Sequence, residues 1–303
     1  MKAQGAIEQP SVATSVSPSA KSLAEPCSAR RRLLGQAATE YLVTMGVVLM
    51  IALICVVVLF WPIETTKDAK KQQADVHFKI AAMEYPDLLQ GLVAYYKFDE
   101  GSGTTASDSR GGVSGNLTGV PTWTTNAKSG YALEFDGASD YVNYGDLGII
   151  DTAADNAMTV SFWIYPTDTS GTARWAVGKK VGVTSGYGWY VGYNSGTFQM
   201  NVRSAAATAT KTAPVNLSRW THIAAIIDRN SNLIRVYRDG SDIGTTDISA
   251  VTGTLSNTDN FRIGSTTGGL YFWNGTIDEV MIFNRALSAG EVLLLYENPG
   301  YPQ

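Results

Sequence analysis

Hydrophobic and polar positions divide the chain into three textures. From Tyr41 to Trp61 run 21 residues without a charge. As a helix rising 1.5 Å per residue they would span about 30 Å, the thickness of a bilayer's hydrocarbon core. A cleavable secretory segment carries only ~7–15 apolar residues, and a buried helix of a soluble core would show a polar face, which this run lacks. Pro62 lacks an N–H and its ring clashes with the preceding turn, so it would kink or break a helix there. Residues 63–85 then alternate Lys, Asp, Glu and Gln with Val76, Ile80 and Met83. Those three share one helical face and predict an exposed amphipathic stalk, closed by Pro86.

From Gly91 the period shortens. Gly, Ser, Thr, Asn and Asp clusters separate runs rich in Val, Ile, Tyr, Phe and Trp, the pattern of an all-β sandwich or barrel. Strands are predicted over 92–98, 131–137, 158–165, 174–180, 188–202, 219–228, 233–244 and 275–283, with turns at Asn194-Ser195-Gly196 and Asp239-Gly240. In 158–165, Met158, Val160, Phe162 and Ile164 share one face, and Thr159, Ser161, Trp163 and Tyr165 the other. The first face predicts core; the second could line a concave sheet. Ser288 with Glu291 forms the S-x-x-E capping box of a short final helix.

Charge orients the apolar run. Arg30, Arg31 and Arg32 precede it, and basic residues stay on the cytoplasmic side, so the C-terminal part should lie outside. Residues 1–29 have no apolar core and read as a disordered leader. Gly35-Gln36 sits between the arginines and the run, and Glu40 follows four residues after Gln36. This order resembles the class III signal peptide of archaeal type IV pilin-like proteins. The resemblance implies cleavage by a prepilin peptidase between Gly35 and Gln36, leaving the apolar helix first in membrane lipid and then packed with other pilin subunits in a filament. A carboxylate among apolar helices is costly unless paired. Glu40 could pair with the new α-amine of a neighbour's Gln36. An uncleaved single-pass anchor is the rival reading of this segment.

The stretches "GLVAYYKFDEGSGTTASDSRG", "ALEFDGASDYVNYG", "WTHIAAIID" and "WNGTIDEVMIFNRALSAGEV" resemble a laminin G-like, concanavalin A-like jelly roll over 91–297. The expected organisation is a cleaved cytoplasmic leader (1–35), a transmembrane or pilin-type α-helix (36–61), a stalk (62–90) and an all-β jelly-roll sandwich (91–303).

That fold serves carbohydrate-binding modules, adhesion domains and glycoside hydrolases alike. An enzyme would need two carboxylates flanking a sugar bond. The nearest acidic pair, Asp278-Glu279, is adjacent in sequence and should face opposite sides of its strand, and His222 falls in a core-like strand. The expectation is therefore no enzyme. For binding, Trp163, Trp175, Trp189, Tyr190 and Tyr193 are the candidate sugar-stacking aromatics, of which one or two should be exposed, since most strand aromatics are core. Asp136, Asp140, Asp278 and Glu279 fall at strand ends. The resemblance brings those ends near the rim, and related domains often hold calcium, which prefers carboxylate and carbonyl oxygens.

Composition narrows the setting. Cys27 lies in the leader and Cys55 in the apolar run; residues 91–303 have none, so the outer region is not a disulfide scaffold. His77 has no ligand-spaced partner. The formal charge of −4 moves to −7 without residues 1–35, and no basic patch suggests nucleic acid. Asn116, Asn216 and Asn274 begin glycosylation sequons. The sequence thus predicts a pilin-like filament subunit or membrane-anchored adhesin, single-pass, whose outer domain meets surface glycans or glycoproteins. The alternative is a single-pass glycan-processing enzyme.

Overall fold

Every one of the predicted strand runs is extended and antiparallel to a neighbour. A computed structural model describes Met45, Leu49 and residues 88–301 apart from 169–172, 181–185, 215–217 and 266–270. The chain divides into two units, Met1–Ala69 and Lys70–Gln303. In the first, the described Met45 and Leu49 are helical and exposed. Gly35, Gln36, Glu40 and the rest of 41–61 lie outside the described residues, as do Asn216 and the stalk up to residue 87. No helix among the described residues is long and apolar enough to cross a membrane.

Two sheets make up the second unit. The first joins β14 (Ser241–Asp247), β13 (Leu233–Arg238), β12 (Thr221–Asp228), β7 (Ala157–Pro166), β16 (Asn274–Phe283), β5 (Ala132–Asp136) and β4 (Thr122–Thr124) in that order, with β1 (Leu92–Tyr96) on the C-terminal half of β16. The second runs β11 (Thr208–Pro214), β10 (Thr197–Arg203), β9 (Gly188–Asn194), β8 (Arg174–Lys180), β15 (Arg262–Ile263), β6 (Tyr141–Asn143), β3 (Gly115–Thr118) and β2 (Thr105–Ala106). Neighbours in sequence are often far apart in order, which makes the arrangement a jelly roll rather than a meander. Ser195 and Gly196 both take positive φ between the paired Asn194 and Thr197, as do Asp239 and Gly240 between Arg238 and Ser241. These are the two-residue turns whose twist matches that of a hairpin.

Alternation closes the sheets over each other. Met158, Val160, Phe162 and Ile164 of β7 meet Val177, Trp189, Val191, Met200 and Val202 in one core. Burying such apolar surface supplies the main driving force for the fold. The opposite face of β7 does not line a concave sheet, as its pattern suggested. A second, smaller cluster covers the sheet there: Leu88, Leu92, Tyr95, Ala224, Ile226, Met281, Phe283, Val292, Leu294 and Leu295. Its last three come from helix α2 (Ala289–Glu297), which follows α1 (Gly148–Ala154) in this unit. Ser288 caps α2: its hydroxyl accepts from Glu291 N–H while the Glu291 carboxylate accepts from Ser288 N–H. Arg285 ties the helix down, donating to Glu291 and to the Leu88 and Gln90 carbonyls.

Candidate functional site

The outer face of the second sheet is polar and aromatic. Residues directly opposite in antiparallel strands point to one face, so the register reads as three rows across β8, β9, β10 and β11. They are Trp175–Gly192–Gln199–Thr212, Gly178–Tyr190–Asn201–Thr210 and Lys180–Gly188–Arg203–Thr208. A bulge between Trp175 and Val177 sets the first row. It lets Ala176 and Val177 both turn into the core while Trp175 stays outside. Gly192 must be glycine, since a Cβ there would lie 2.2 Å from the Arg174 carbonyl oxygen.

Trp175 lies flat on Tyr190, ring centroids 3.7 Å apart at 5°, and stacks with Tyr271 at 5.4 Å. Lys180 Nζ sits 5.2 Å from the Tyr190 ring and 5.6 Å from that of Trp175. It donates to Asn201 Oδ1 at 3.4 Å, and Asn201 Nδ2 donates to Thr210 Oγ1. Tyr190 Oη donates to Gln199 Oε1. Among the described residues the indole N–H of Trp175 has no hydrogen-bond partner, a cost for a buried donor. Burial, followed by the nearby Arg203 charge, lowers the Lys180 pKa to about 8. The stack is buried (Trp175 1%, Tyr190 7%, Lys180 3% exposed), whereas Gln199 and Arg203 are half-buried and Thr208 and Thr212 exposed. The face therefore opens on the β10–β11 side.

All five predicted aromatics are buried, against the expectation that one or two would be exposed. They do not form one platform. Trp189 and Tyr193 belong to the inter-sheet core. Trp163 lies on the other sheet, beneath Lys128 Nζ at 3.8 Å and stacked with Tyr296. It borders a separate groove of about 390 Å³ with Lys128, Arg219, Trp220, Asp239 and Tyr296. Only Trp175 and Tyr190 come together. Their partners Lys180, Gln199, Asn201, Arg203 and Tyr271 were not candidates in the sequence. The available signal was the Lys179-Lys180 pair closing the strand run "RWAVGKK".

The four acids separate into two pairs. Asp136 and Asp140 border a rim pocket of about 320 Å³ together with Glu134, Ser139 and Asn274. Asp136 accepts from the Ala138, Ser139 and Asp140 amides and from Ser139 Oγ. Asp140 accepts from the Val120 and Asp136 amides. Burial would raise the Asp136 pKa, but the Ser139 and Ala138 donors outweigh it and hold it below the usual value. A cation at the rim would share these oxygens with the loop amides. Among the described residues no three His, Cys, Asp or Glu side chains converge as metal ligands. Asn116 is exposed on β3, and Asn274 accepts from Thr167 Oγ1.

Asp278 and Glu279 correct a second expectation. A bulge in β16 with Glu279 at φ 54° puts both side chains on the outer face of the first sheet. Ile277 and Val280 on either side turn inward. The pair lies under α2, not at the rim. Asp278 accepts from the Lys128, Ser129 and Glu279 amides, and Glu279 from Tyr95 Oη. Burial, and then the neighbouring Glu279 charge, push Asp278 above the carboxylate range; burial raises Glu279 too. Beside them His222 Nε2 meets Ser161 Oγ at 2.8 Å, and burial pushes its pKa down to about 3.

A two-sheet jelly roll with this connectivity defines a lectin- or glucanase-type domain. The chain belongs to the Laminin_G_3 family, described as the concanavalin A-like lectin/glucanases superfamily, which matches residues 136–293. No curated protein sequence matches the chain. Among solved structures it is similar to the receptor binding domain of botulinum neurotoxin C/D mosaic serotype, with TM-score 0.57 and 13% identity, covering 69% of this chain and 51% of that one. The chain thus spans about half the length of that structure. It is also similar to domain 4 of an extracellular arabinanase from Geobacillus stearothermophilus in complex with arabinotriose, with TM-score 0.52, 19% identity and 68% and 98% coverage. A third similar structure is Trypanosoma rangeli sialidase in complex with sialic acid, with TM-score 0.55, 17% identity and 70% and 33% coverage. At these identities the likeness carries the fold alone. The expectation of no enzyme is corrected: glycosidase structures stand among the similar folds, and they decide enzyme status neither way.

Proposed function

We propose that the chain is a surface-displayed glycan-binding protein whose saccharide site is the outer face of the second sheet. The observation that carries this reading is the Tyr271–Trp175–Tyr190 stack bordered by Gln199, Asn201, Thr210 and Lys180. Saccharide recognition combines apolar ring contact with a few fixed polar groups; here the buried ring stack backs the face, and half-buried Gln199 and Arg203 with exposed Thr208 and Thr212 are its groups open to solvent. The arabinotriose in one similar structure and the sialic acid in another are in keeping with it.

Display rests on the N-terminal segment. The order Arg30–Arg32, Gly35-Gln36, Glu40 and the uncharged run supports a pilin-like anchor, cut by a prepilin peptidase and assembled through its apolar helix. The test of the binding reading is a printed glycan array probed with the full chain and with Asn201→Ala. Wild type should bind a restricted set of saccharides, and the variant should lose them. Absence of binding to any saccharide overturns the reading.

A further inference from the structure

We infer that the saccharide recognised on this face is anionic, its carboxylate or sulfate group held between Lys180 and Arg203. The inference rests on the glycan-binding reading above.

Lys180 and Arg203 stand in one row with Gly188 between them. Strands lie about 4.8 Å apart, so the two Cα atoms are roughly 10 Å apart, and both long side chains can converge on one group above the side-chain-free glycine. Neither cation has an acidic partner among the described residues. Its chain neighbour Lys179 is held by Asp146 and Asp151, and Arg174, Arg219, Arg235 and Arg285 each pair with a carboxylate. Among the described cations without a carboxylate partner, Lys180 is the one that is nine-tenths and more buried.

Lys180 is also the wrong residue for a purely structural role. It is 97% removed from solvent by its 3% exposure, yet its ammonium has one long bond to an amide oxygen. A buried charge is costly unless paired. Contact with the Tyr190 and Trp175 rings offsets part of that cost, but Arg203 adds repulsion. An anion between the two would relieve both. Arg203 is half-buried and flanks exposed Thr208, so the anion reaches the pair from the open β10–β11 side. Its ring would then lie against half-buried Gln199, with exposed Thr208 and Thr212 beside it on the same face.

The test uses the full chain on an array of matched pairs: uronic-acid oligosaccharides with their carboxyl-reduced forms, and sulfated oligosaccharides with their desulfated forms. Wild type should prefer the charged member of at least one set by about tenfold or more, the range of one or two charge-assisted bonds, and the set identifies carboxylate or sulfate. Lys180→Met keeps the ring contacts and removes the charge; Arg203→Gln removes the other. Each should abolish the preference while leaving the melting temperature within a few degrees of wild type. Equal binding of charged and neutral members, or a preference that survives both variants, overturns the inference and leaves the glycan reading standing. Binding to no saccharide overturns both.

Discussion

Asp278 and Glu279 are neighbours in the chain, yet both carboxyl groups face the same buried side of β16, because Glu279 takes a positive φ within a bulge. Burial raises both pKa values above those of an unfolded chain, and the Glu279 charge raises that of Asp278 further. The folded state therefore binds more protons than the unfolded one. That stability is fully present below the unfolded pKa values and is lost as pH rises through the raised ones, at roughly 1.4 kcal/mol per pH unit for a group still protonated only in the fold. Above about pH 7, His222 is neutral in both states and does not interfere. The melting temperature should fall from about pH 7 to about pH 9, and Glu279→Gln, which keeps an acceptor for Tyr95, should flatten that fall. Parallel curves for the two proteins would refute the coupling.

The Trp175–Tyr190 stack should be felt in stability as well as binding. Trp175 is 1% exposed. Trp175→Ala should lower the unfolding free energy by roughly 3–5 kcal/mol, and Trp175→Phe by clearly less because an aromatic ring remains. Urea denaturation measures both; equal losses would show that stacking contributes nothing beyond bulk.

Helix α2 depends on its first turn. Removing the Ser288 hydroxyl frees the Glu291 N–H, so Ser288→Ala should cost roughly 1 kcal/mol. Hydrogen exchange should quicken in α2 before the sheets. Unchanged protection in 289–297 would mean that packing of Val292, Leu294 and Leu295 alone holds the helix.

Cleavage between Gly35 and Gln36 has a direct readout. Mass spectrometry of the protein from its producing cell should find a mature N-terminus at Gln36. An intact Met1, or a cut beyond Trp61, would defeat the pilin-like reading.

Glu40 separates filament subunit from simple anchor. Glu40→Gln should leave membrane insertion intact, since neutralising a charge favours insertion. It should reduce the subunit in sheared surface filaments, because an unpaired buried amine costs roughly 3–5 kcal/mol. Equal amounts of wild type and variant in the sheared fraction would remove Glu40 from assembly.

What the sequence determined by itself is everything written in a short period. The β pattern of residues 92–283, the inward set Met158, Val160, Phe162 and Ile164, the two hairpin turns and the Ser288 cap all follow from local sterics and alternation, and all appear in the structure. Long-range placement was not legible. Alternation says that a strand has two faces but not what covers the second one, so Trp163 and Ser161 looked available until α2 was packed over them. Two bulges broke the period itself: one left Trp175 outside the core, the other put Asp278 and Glu279 on one face. Register brought Lys180, Gly188 and Arg203 into a single row. Hydrogen-bond pairing between strands fixes such a row, and no residue in it carries a local mark of its partners.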